Sequence, residues 1–350
     1  MKLKVEMANK ILFDIGHPAH VHYFKNIIAK MELNGKKVYV LARDKDITLS
    51  LLNNYKIDYV SRGKGGVNVF SRILYWFKVV FLTYNYVKKI KPDIIVSFAG
   101  TYASHASKFC GIPHICFTDT EAARVGILAL LPFTKVLITP KCFKKSYGKK
   151  HVRFNGLFEL AYLSPKNFVP NKNIYKILNI PINDPYVVIR FVSWSATHDV
   201  GEQGISNPLK LDLISKLSKF VKVFISSEGE LSEELMPYRI NIPPEKMHDA
   251  LAFASLYFGE SPTMTTESAL LGTPAICIST WAFDCGNFDL LNSYKLINCF
   301  KPRNKNSAIK KALEIVRNKS SKDTLLSRRN KFLKDMGDVN NFMYNTLHKM

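Results

Sequence analysis

Residues 258–280 read FGESPTMTTESALLGTPAICIST, and the succession of residue types in them sets the fold class. Leu256, Tyr257 and Phe258 end a strand, Gly259-Glu260-Ser261-Pro262 turns the chain, a short helix runs until Gly272 stops it, and Ala275 to Ser279 forms a second apolar strand. A strand, helix and strand of these lengths make half of a parallel α/β unit. Thr263, Thr265 and Thr266 gather at the helix start. Unpaired backbone N–H groups and the positive end of the helix dipole favour an anion there, such as a diphosphate. Glu267 follows directly. A carboxylate repels phosphate but accepts hydrogen bonds from a ribose diol, so the order of residues matches a nucleotide's diphosphate and sugar. The same residues also suit an ordinary capped helix.

The same alternation extends back to Tyr186. Tyr186 to Val192 (YVVIRFV) reads as a strand, followed by the hydroxyl-rich loop Ser193-Trp194-Ser195-Ala196-Thr197-His198-Asp199. Lys222 to Ser226 is another strand, ending in Ser227-Glu228-Gly229, and His248 to Ala254 is a short helix. This series brings Arg190 and the loop with Ser193 and Ser195 to the sheet edge that carries the helix start, where they are suitable donors for a diphosphate, with Glu228 at the same edge. Before it, 165–185 is rich in Pro and Asn and reads as a linker. After it, 322–350 is polar and helical and is expected to pack across the domains.

The first half repeats the pattern. Lys10 to Ile15 (KILFDI) is a buried strand, GHPAHVH a loop, and Val21 to Leu33 a helix with Phe24, Ile27, Ile28 and Met31 at helical spacing. Open α/β sheets place their ligands at such strand ends. His17, His20 and His22 fall there, and a histidine near its ordinary pKa is a candidate general base. Capping the helix or bonding a loop carbonyl serves as well, and no carboxylate or cysteine pattern points to a metal. Lys37–Ala42, Tyr59–Val60, Asp93–Ser97, His114–Phe117 and Val136–Thr139 are further strands, with helices such as Ile47–Leu52 and Tyr102–Phe109 between them. Two more loops, Phe98 to Thr101 with Gly100 and Thr118 to Glu121 with Asp119 and Glu121, lie at the ligand edge. Those acids can orient an acceptor hydroxyl or a histidine, or cap the helix that follows. No G-x-G-x-x-G follows the first strand and no Walker P-loop occurs, so dehydrogenase and ATPase chemistry are not expected.

A chain of 350 residues favours two domains, and a hydrophobic content of 47% allows both to be packed. Its 50 Lys and Arg against 28 Asp and Glu give a formal net charge of +22. That attracts anionic partners without choosing among nucleotides, lipid head groups and nucleic acid. No zinc, RNA-recognition or helix-turn-helix signature accompanies the charge, so nucleic acid is not the expected partner. The six cysteines show no C-x-x-C pair and read as reduced thiols, which together with the absence of a signal-like or membrane-spanning run points to the cytoplasm. Ile73 to Val87 (ILYWFKVVFLTYNYV) is apolar on all sides of a helix and is followed by Lys88, Lys89 and Lys91. A helix buried on two sides fits that composition, and so does a surface helix dipping into an anionic membrane.

Two Rossmann-like halves, a linker and a nucleotide-type site in the second half resemble the glycosyltransferase B architecture. Within it, the chain is identified as a member of a bacterial and archaeal family, domain of unknown function 354. Asp14 to Asn26 (DIGHPAHVHYFKN), Ala42-Arg43-Asp44, Asn155 to Leu163 (NGLFELAYL) and Ser261 to Ile276 carry that likeness. More distantly, His20-Val21 resembles the His-Val that ends a glycine-rich loop in the N-acetylglucosaminyltransferase of peptidoglycan synthesis. The likeness implies that His20 deprotonates the acceptor, although Pro18 and Ala19 stand where that enzyme has glycines. It also implies membrane contact through 73–91. The non-hydrolysing UDP-N-acetylglucosamine 2-epimerase is similar at the second-half motif, where Glu267 matches its ribose-binding carboxylate. Its Gly-Asp-Thr loop reads Ala99-Gly100-Thr101 here, without the acid, which favours transfer over epimerisation.

Together these readings predict two Rossmann-like domains whose parallel sheets face a central cleft: 1–164 for the acceptor, 186–321 for the nucleotide sugar, and 322–350 as a C-terminal helix. The expected chemistry is metal-independent glycosyl transfer in surface polysaccharide or glycoconjugate synthesis, with no cofactor besides the nucleotide-sugar substrate. Arg190, Ser193, Ser195, Glu228, Thr263, Thr265, Thr266 and Glu267 bind the donor. His20 is the base, with Asp119 orienting it, and His17, His22, Gly100 and Glu121 line the acceptor side. The acceptor is a glycan or a lipid-linked molecule, and the protein is cytoplasmic or peripheral at the inner face of the membrane.

Overall fold

A computed structural model describes residues 8–66, 69–192, 205–227, 229–318 and 320–349. The chain folds as two compact units, one of the residues up to Tyr162 with those from Gly337 onwards, the other of Leu163–Met336. In the first, seven strands alternate with helices: β1 (Lys10–Ile15), β2 (Lys37–Asp44), β3 (Val60–Lys64), β4 (Ile94–Phe98), β5 (His114–Phe117), β6 (Val136–Pro140) and β7 (His151–Phe154). They lie in the order β3-β2-β1-β4-β5-β6-β7, every pairing parallel. The second unit holds β8 (Tyr186–Phe191), β9 (Lys222–Ser227), β10 (Leu256–Gly259), β11 (Ala275–Ile278) and β12 (Ile297–Phe300), ordered β12-β11-β10-β8-β9 and again all parallel. Two parallel α/β sheets are the architecture the sequence predicts.

The strands are continuous apolar runs because helices cover both faces of each sheet. Every residue of β4, β5, β10 and β11 is buried. In the first unit Phe13 meets Phe24 with ring centroids 5.2 Å apart, and Phe158 packs on Phe98 at 5.0 Å. In the second, Val187, Ile189, Phe258 and Ile276 form the centre of one apolar cluster. Parallel strands need right-handed crossovers, so the chain winds outward from a central strand, returns, and winds outward the other way. The reversal falls between β1 and β4 in the first sheet and between β8 and β10 in the second. Loops diverge at those points and leave room for a ligand at the carboxyl edge.

The structure adds β7 and β12, which the sequence reading leaves in connecting segments. It also divides 322–350 into helices Ser321–Asp335 and Val339–His348, the second of which belongs to the first unit. The apolar helix Val69–Ile90 corrects an expectation. Val79, Thr83 and Val87 are buried, but Leu74, Phe77 and Phe81 are each more than half exposed, as is Phe109 of the neighbouring helix Thr101–Cys110. It is therefore not buried on two sides: one face packs inward, and the opposite face forms an open groove lined by Trp76, Phe77, Val80, Phe81, Tyr84 and Phe109.

Candidate functional site

In the second unit Arg190, Gly259 and Glu260 lie at the reversal point. Arg190, next to last in β8, donates from Nη1 to Ser226 Oγ of β9 at 2.6 Å. Gly259 at the end of β10 has no room for a side chain, since a Cβ there would lie 2.8 Å from the Arg190 carbonyl oxygen and 2.9 Å from its Cβ. Glu260, which the sequence reading did not single out, is buried and ties the edge together. Its Oε2 accepts from Val192 N–H at 3.2 Å and its Oε1 from Ile205 N–H at 2.8 Å, so one carboxylate holds both ends of the connection 192–205. Two hydrogen bonds to an ionised acceptor each contribute about 1.5–3 kcal/mol. The only hint in sequence is an acid directly after an apolar strand. Ser193, Ser195 and Glu228, expected to bind the nucleotide sugar, lie outside the described residues.

Helix Pro262–Leu271 begins at this edge with Ser261 as N-cap, its Oγ accepting from Met264 N–H. Pro262 has no N–H, and Thr265 N–H bonds to the Ser261 carbonyl, so Thr263 supplies the first-turn donors among the described residues. Thr263 is half-buried, in a position to meet a phosphate oxygen. Thr265 and Thr266 are not: they are 0% and 2% exposed, and the Thr265 hydroxyl donates to the Ser261 carbonyl at 2.8 Å. Their expected role on the diphosphate is therefore corrected, because helical geometry turns both positions into the core. Glu267 is buried one turn on, and His248 Nε2 lies 3.0 Å from its Oε1. A carboxylate has more acceptor positions than one imidazole can fill, so this pairing is compatible with a second, ribose-type partner.

In the first unit the reversal point carries a pair that the sequence did not reveal. Asp14 of β1 and Arg62 of β3 are each 3% exposed, with Arg62 Nε 3.0 Å from Asp14 Oδ1. Burial pushes the Asp14 carboxyl up, and the Arg62 guanidinium opposes that shift without cancelling it. Asp14 Oδ2 reaches to 3.1 Å from where a Cβ on Gly100 would stand, and Ser97 Cβ to 2.5 Å. Gly100 is thus required by close approach. Gly100→Ala is expected to destabilise the first unit by about 1–3 kcal/mol, as overpacking does. A melting temperature equal to wild type would contradict this.

His17 caps helix Pro18–Leu33, its Nδ1 accepting from Ala19 N–H at 3.2 Å, while His20 Nδ1 accepts from Gly16 N–H at 3.2 Å. Burial, helped by the charges of Lys45 and Arg43, lowers His17 to about 3. Burial, with His17, Arg62 and Lys45, also holds His20 well below its ordinary range. Both rings are neutral near pH 7, and with Nδ1 occupied each carries its proton on Nε2. This corrects the expected base: His20 presents a donor.

Its ring contacts are His17, Tyr23 and Phe98 rather than Asp119, which accepts from the Thr120 hydroxyl. The expected orienting role of Asp119 on His20 is not what the structure shows. His22 faces away, stacked on Tyr162 at 5.2 Å with Tyr55 Oη 3.4 Å from its Nδ1, so its acceptor-side role is corrected to a packing one. Glu121 is buried and accepts from Lys144 N–H, tying the loop after β6 to the edge. Among the described residues no cluster of His, Cys, Asp and Glu could hold a metal ion.

The fold, two parallel-sheet α/β units, is of the glycosyltransferase B kind. More narrowly, residues 9–339 match the model of the family described as protein of unknown function DUF354, and the chain belongs to that family. An uncharacterized protein of Methanocaldococcus jannaschii is 24% identical over 279 residues, covering 76% of this chain and 80% of that protein. Among solved structures, UDP-GlcNAc 2-epimerase from Neisseria meningitidis, bound to UDP-GlcNAc, is similar with a TM-score of 0.72 at 11% identity, covering 97% of this chain and 100% of that one. MurG of Acinetobacter baumannii is similar with a TM-score of 0.59 at 16% identity, covering 97% of this chain and 99% of that one. At these identities the likeness is one of fold.

Proposed function

We propose that this protein is a nucleotide-sugar-dependent glycosyltransferase in surface polysaccharide or glycoconjugate synthesis, with the donor held by the second unit and the acceptor by the first. The observation that carries the reading is the edge of the second sheet at its strand reversal, where Arg190 lies near the end of β8, Glu260 accepts from Val192 and Ile205 N–H, and helix Pro262–Leu271 begins with Thr263 and carries the buried Glu267 one turn on. Arg190 and Thr263 serve a diphosphate and Glu267 a ribose. Helix dipole and guanidinium stabilise a departing diphosphate without help from a metal ion, so none is needed as a resident cofactor. A UDP-sugar is the first donor to try, given the fold relatives.

One observation favours a second reading, epimerisation at carbon 2 of a nucleotide sugar. Asp14 Oδ2 stands beside the position that a side chain at residue 100 would occupy, so β1 offers an acid where the loop Ala99-Gly100-Thr101 has none. Mass analysis of products separates the two. Release of nucleoside diphosphate with a heavier acceptor supports transfer, a donor isomer of unchanged mass supports epimerisation, and an intact donor under all conditions contradicts both.

The exposed face of helix Val69–Ile90 fits an anionic lipid surface: Phe77, Phe81 and Phe109 stand out from it, with Lys78, Lys88 and Lys108 exposed on the same two helices. No helix among the described residues is long and apolar enough to cross a membrane, so contact here is peripheral. In sedimentation with vesicles, wild type is expected to bind phosphatidylglycerol-containing bilayers and Phe77→Ser/Phe81→Ser to bind at least about tenfold more weakly, since each buried aromatic contributes about 1.5–3 kcal/mol. Equal partitioning of the two proteins would rule the surface out.

A further inference from the structure

Around the loop after β1, the carboxyl edge of the first sheet gathers several donors. His17 and His20, with ring centroids 5.8 Å apart, each accept a backbone N–H at Nδ1, which leaves the proton on Nε2. Around them stand Arg43 near the end of β2, Lys45 just beyond it, and Arg62 on β3. Arg62 Nε lies 3.0 Å from Asp14 Oδ1 in an ion pair and Nη1 donates to Tyr75 Oη, while Nη2 lies 3.3 Å from the Cβ position of Gly16, beside His20. Arg43 lies over the Tyr75 ring at 5.8 Å, and Arg62 over the Tyr102 ring at 5.1 Å. The two tyrosines thus hold both guanidinium planes. Arg43 Nε is buried without an acceptor, and no carboxylate pairs with Arg43 among the described residues.

Few acids face these groups. Asp14 is committed to Arg62, and Asp46 is exposed and 3.9 Å from Lys45. Asp44 closes β2 without an ion pair to any of the three cations. Donors that hold a guanidinium without a counter-charge are a receptor for an oxyanion. A phosphate monoester carries about −1.5 to −2 charge near pH 7 and three acceptor oxygens, which matches such a donor set better than the two oxygens and single charge of a carboxylate.

We infer that this edge binds a phosphate monoester, so that, if the proposed transfer reaction holds, the acceptor is a phosphorylated molecule. Arg43 and Lys45 supply charge, Arg62 Nη2 a fixed N–H donor, and His17 and His20 neutral N–H donors.

The test is calorimetric titration of the full chain with inorganic phosphate at constant ionic strength, with no nucleotide sugar present. Wild type is expected to take up one phosphate, and Arg43→Gln to bind it about 10- to 100-fold more weakly, the loss of a charge-assisted contact. Lys45→Gln, at the surface, weakens it less and decides the matter should Arg43→Gln not fold. Lys88→Gln leaves it unchanged.

No uptake by wild type, equal uptake by folded Arg43→Gln and Lys45→Gln, or an equal loss in Lys88→Gln overturns the inference. Displacement of phosphate by glycerol 3-phosphate points to a soluble phosphomonoester. Displacement only by phosphatidic acid in phosphatidylcholine vesicles points to a lipid one, and displacement by neither overturns the site. Donor binding is measured separately, so phosphate uptake without any nucleotide-sugar binding defeats the proposed function alone, and the reverse defeats this inference alone.

Discussion

Arg62→Met is expected to lower the stability of the first unit by about 3–5 kcal/mol, the cost of leaving a buried charge without its partner. For a unit of this size that is a fall of roughly 6–20 °C in melting temperature. Asp14 would keep its burial and lose the attraction that opposes it. The pH dependence gives the variant a signature that simple misfolding lacks. The folded carboxyl already holds its proton more tightly than the unfolded chain, for which the ordinary value is 3.8. Its contribution is therefore fully present below that value and lost as pH rises through the folded pKa. Removing Arg62 raises the folded pKa further, so the variant regains stability on acidification over a wider range and its gap to wild type narrows as pH falls. Calorimetry across the acid range checks this, and a gap that widens or stays constant would contradict the buried pair.

Glu267→Gln is expected to weaken nucleotide-sugar binding by about 10- to 100-fold, because a ribose diol donates to an ionised carboxylate more strongly than to an amide. Gln is more informative than Ala here. Its amide oxygen still accepts from His248 Nε2, so the variant keeps the internal pairing at 3.0 Å and isolates ligand chemistry from folding. Glu267→Ala instead leaves His248 buried without that acceptor and costs about 1–3 kcal/mol of stability as well. A Gln variant that binds as tightly as wild type would remove Glu267 from the donor site.

The two-sheet architecture was legible because parallel strands covered on both faces are uninterrupted apolar runs, as in DIIVS and YVVIRFV. β12 was not, since Asn298 and Cys299 dilute its apolar pattern, and β7 was hidden because His151 and Arg153 continue a basic stretch. Site positions were legible as loops at strand ends, but side-chain direction was not. Thr265 and Thr266 satisfy a helix-start pattern while pointing into the core. Which nitrogen of His20 is free depends on the Gly16 N–H, a tertiary detail no spacing encodes. The Asp14–Arg62 pair joins separate strands, and a single sequence does not show which strand ends meet. For helix Val69–Ile90 composition fitted burial on two sides or a surface helix alike, and the fold leaves one apolar face uncovered.

The central claim is a nucleotide-sugar site in the second unit, and a thermal-shift panel of UDP, GDP, CMP and dTDP sugars on the intact chain tests it most directly. A ligand that binds only the folded state must raise its melting temperature, by about 2.7 kcal/mol of stability at a hundredfold excess over Kd. The account predicts a shift with one nucleotide class, retained in Lys88→Gln and reduced in Glu267→Gln. No shift with any nucleotide sugar would contradict it.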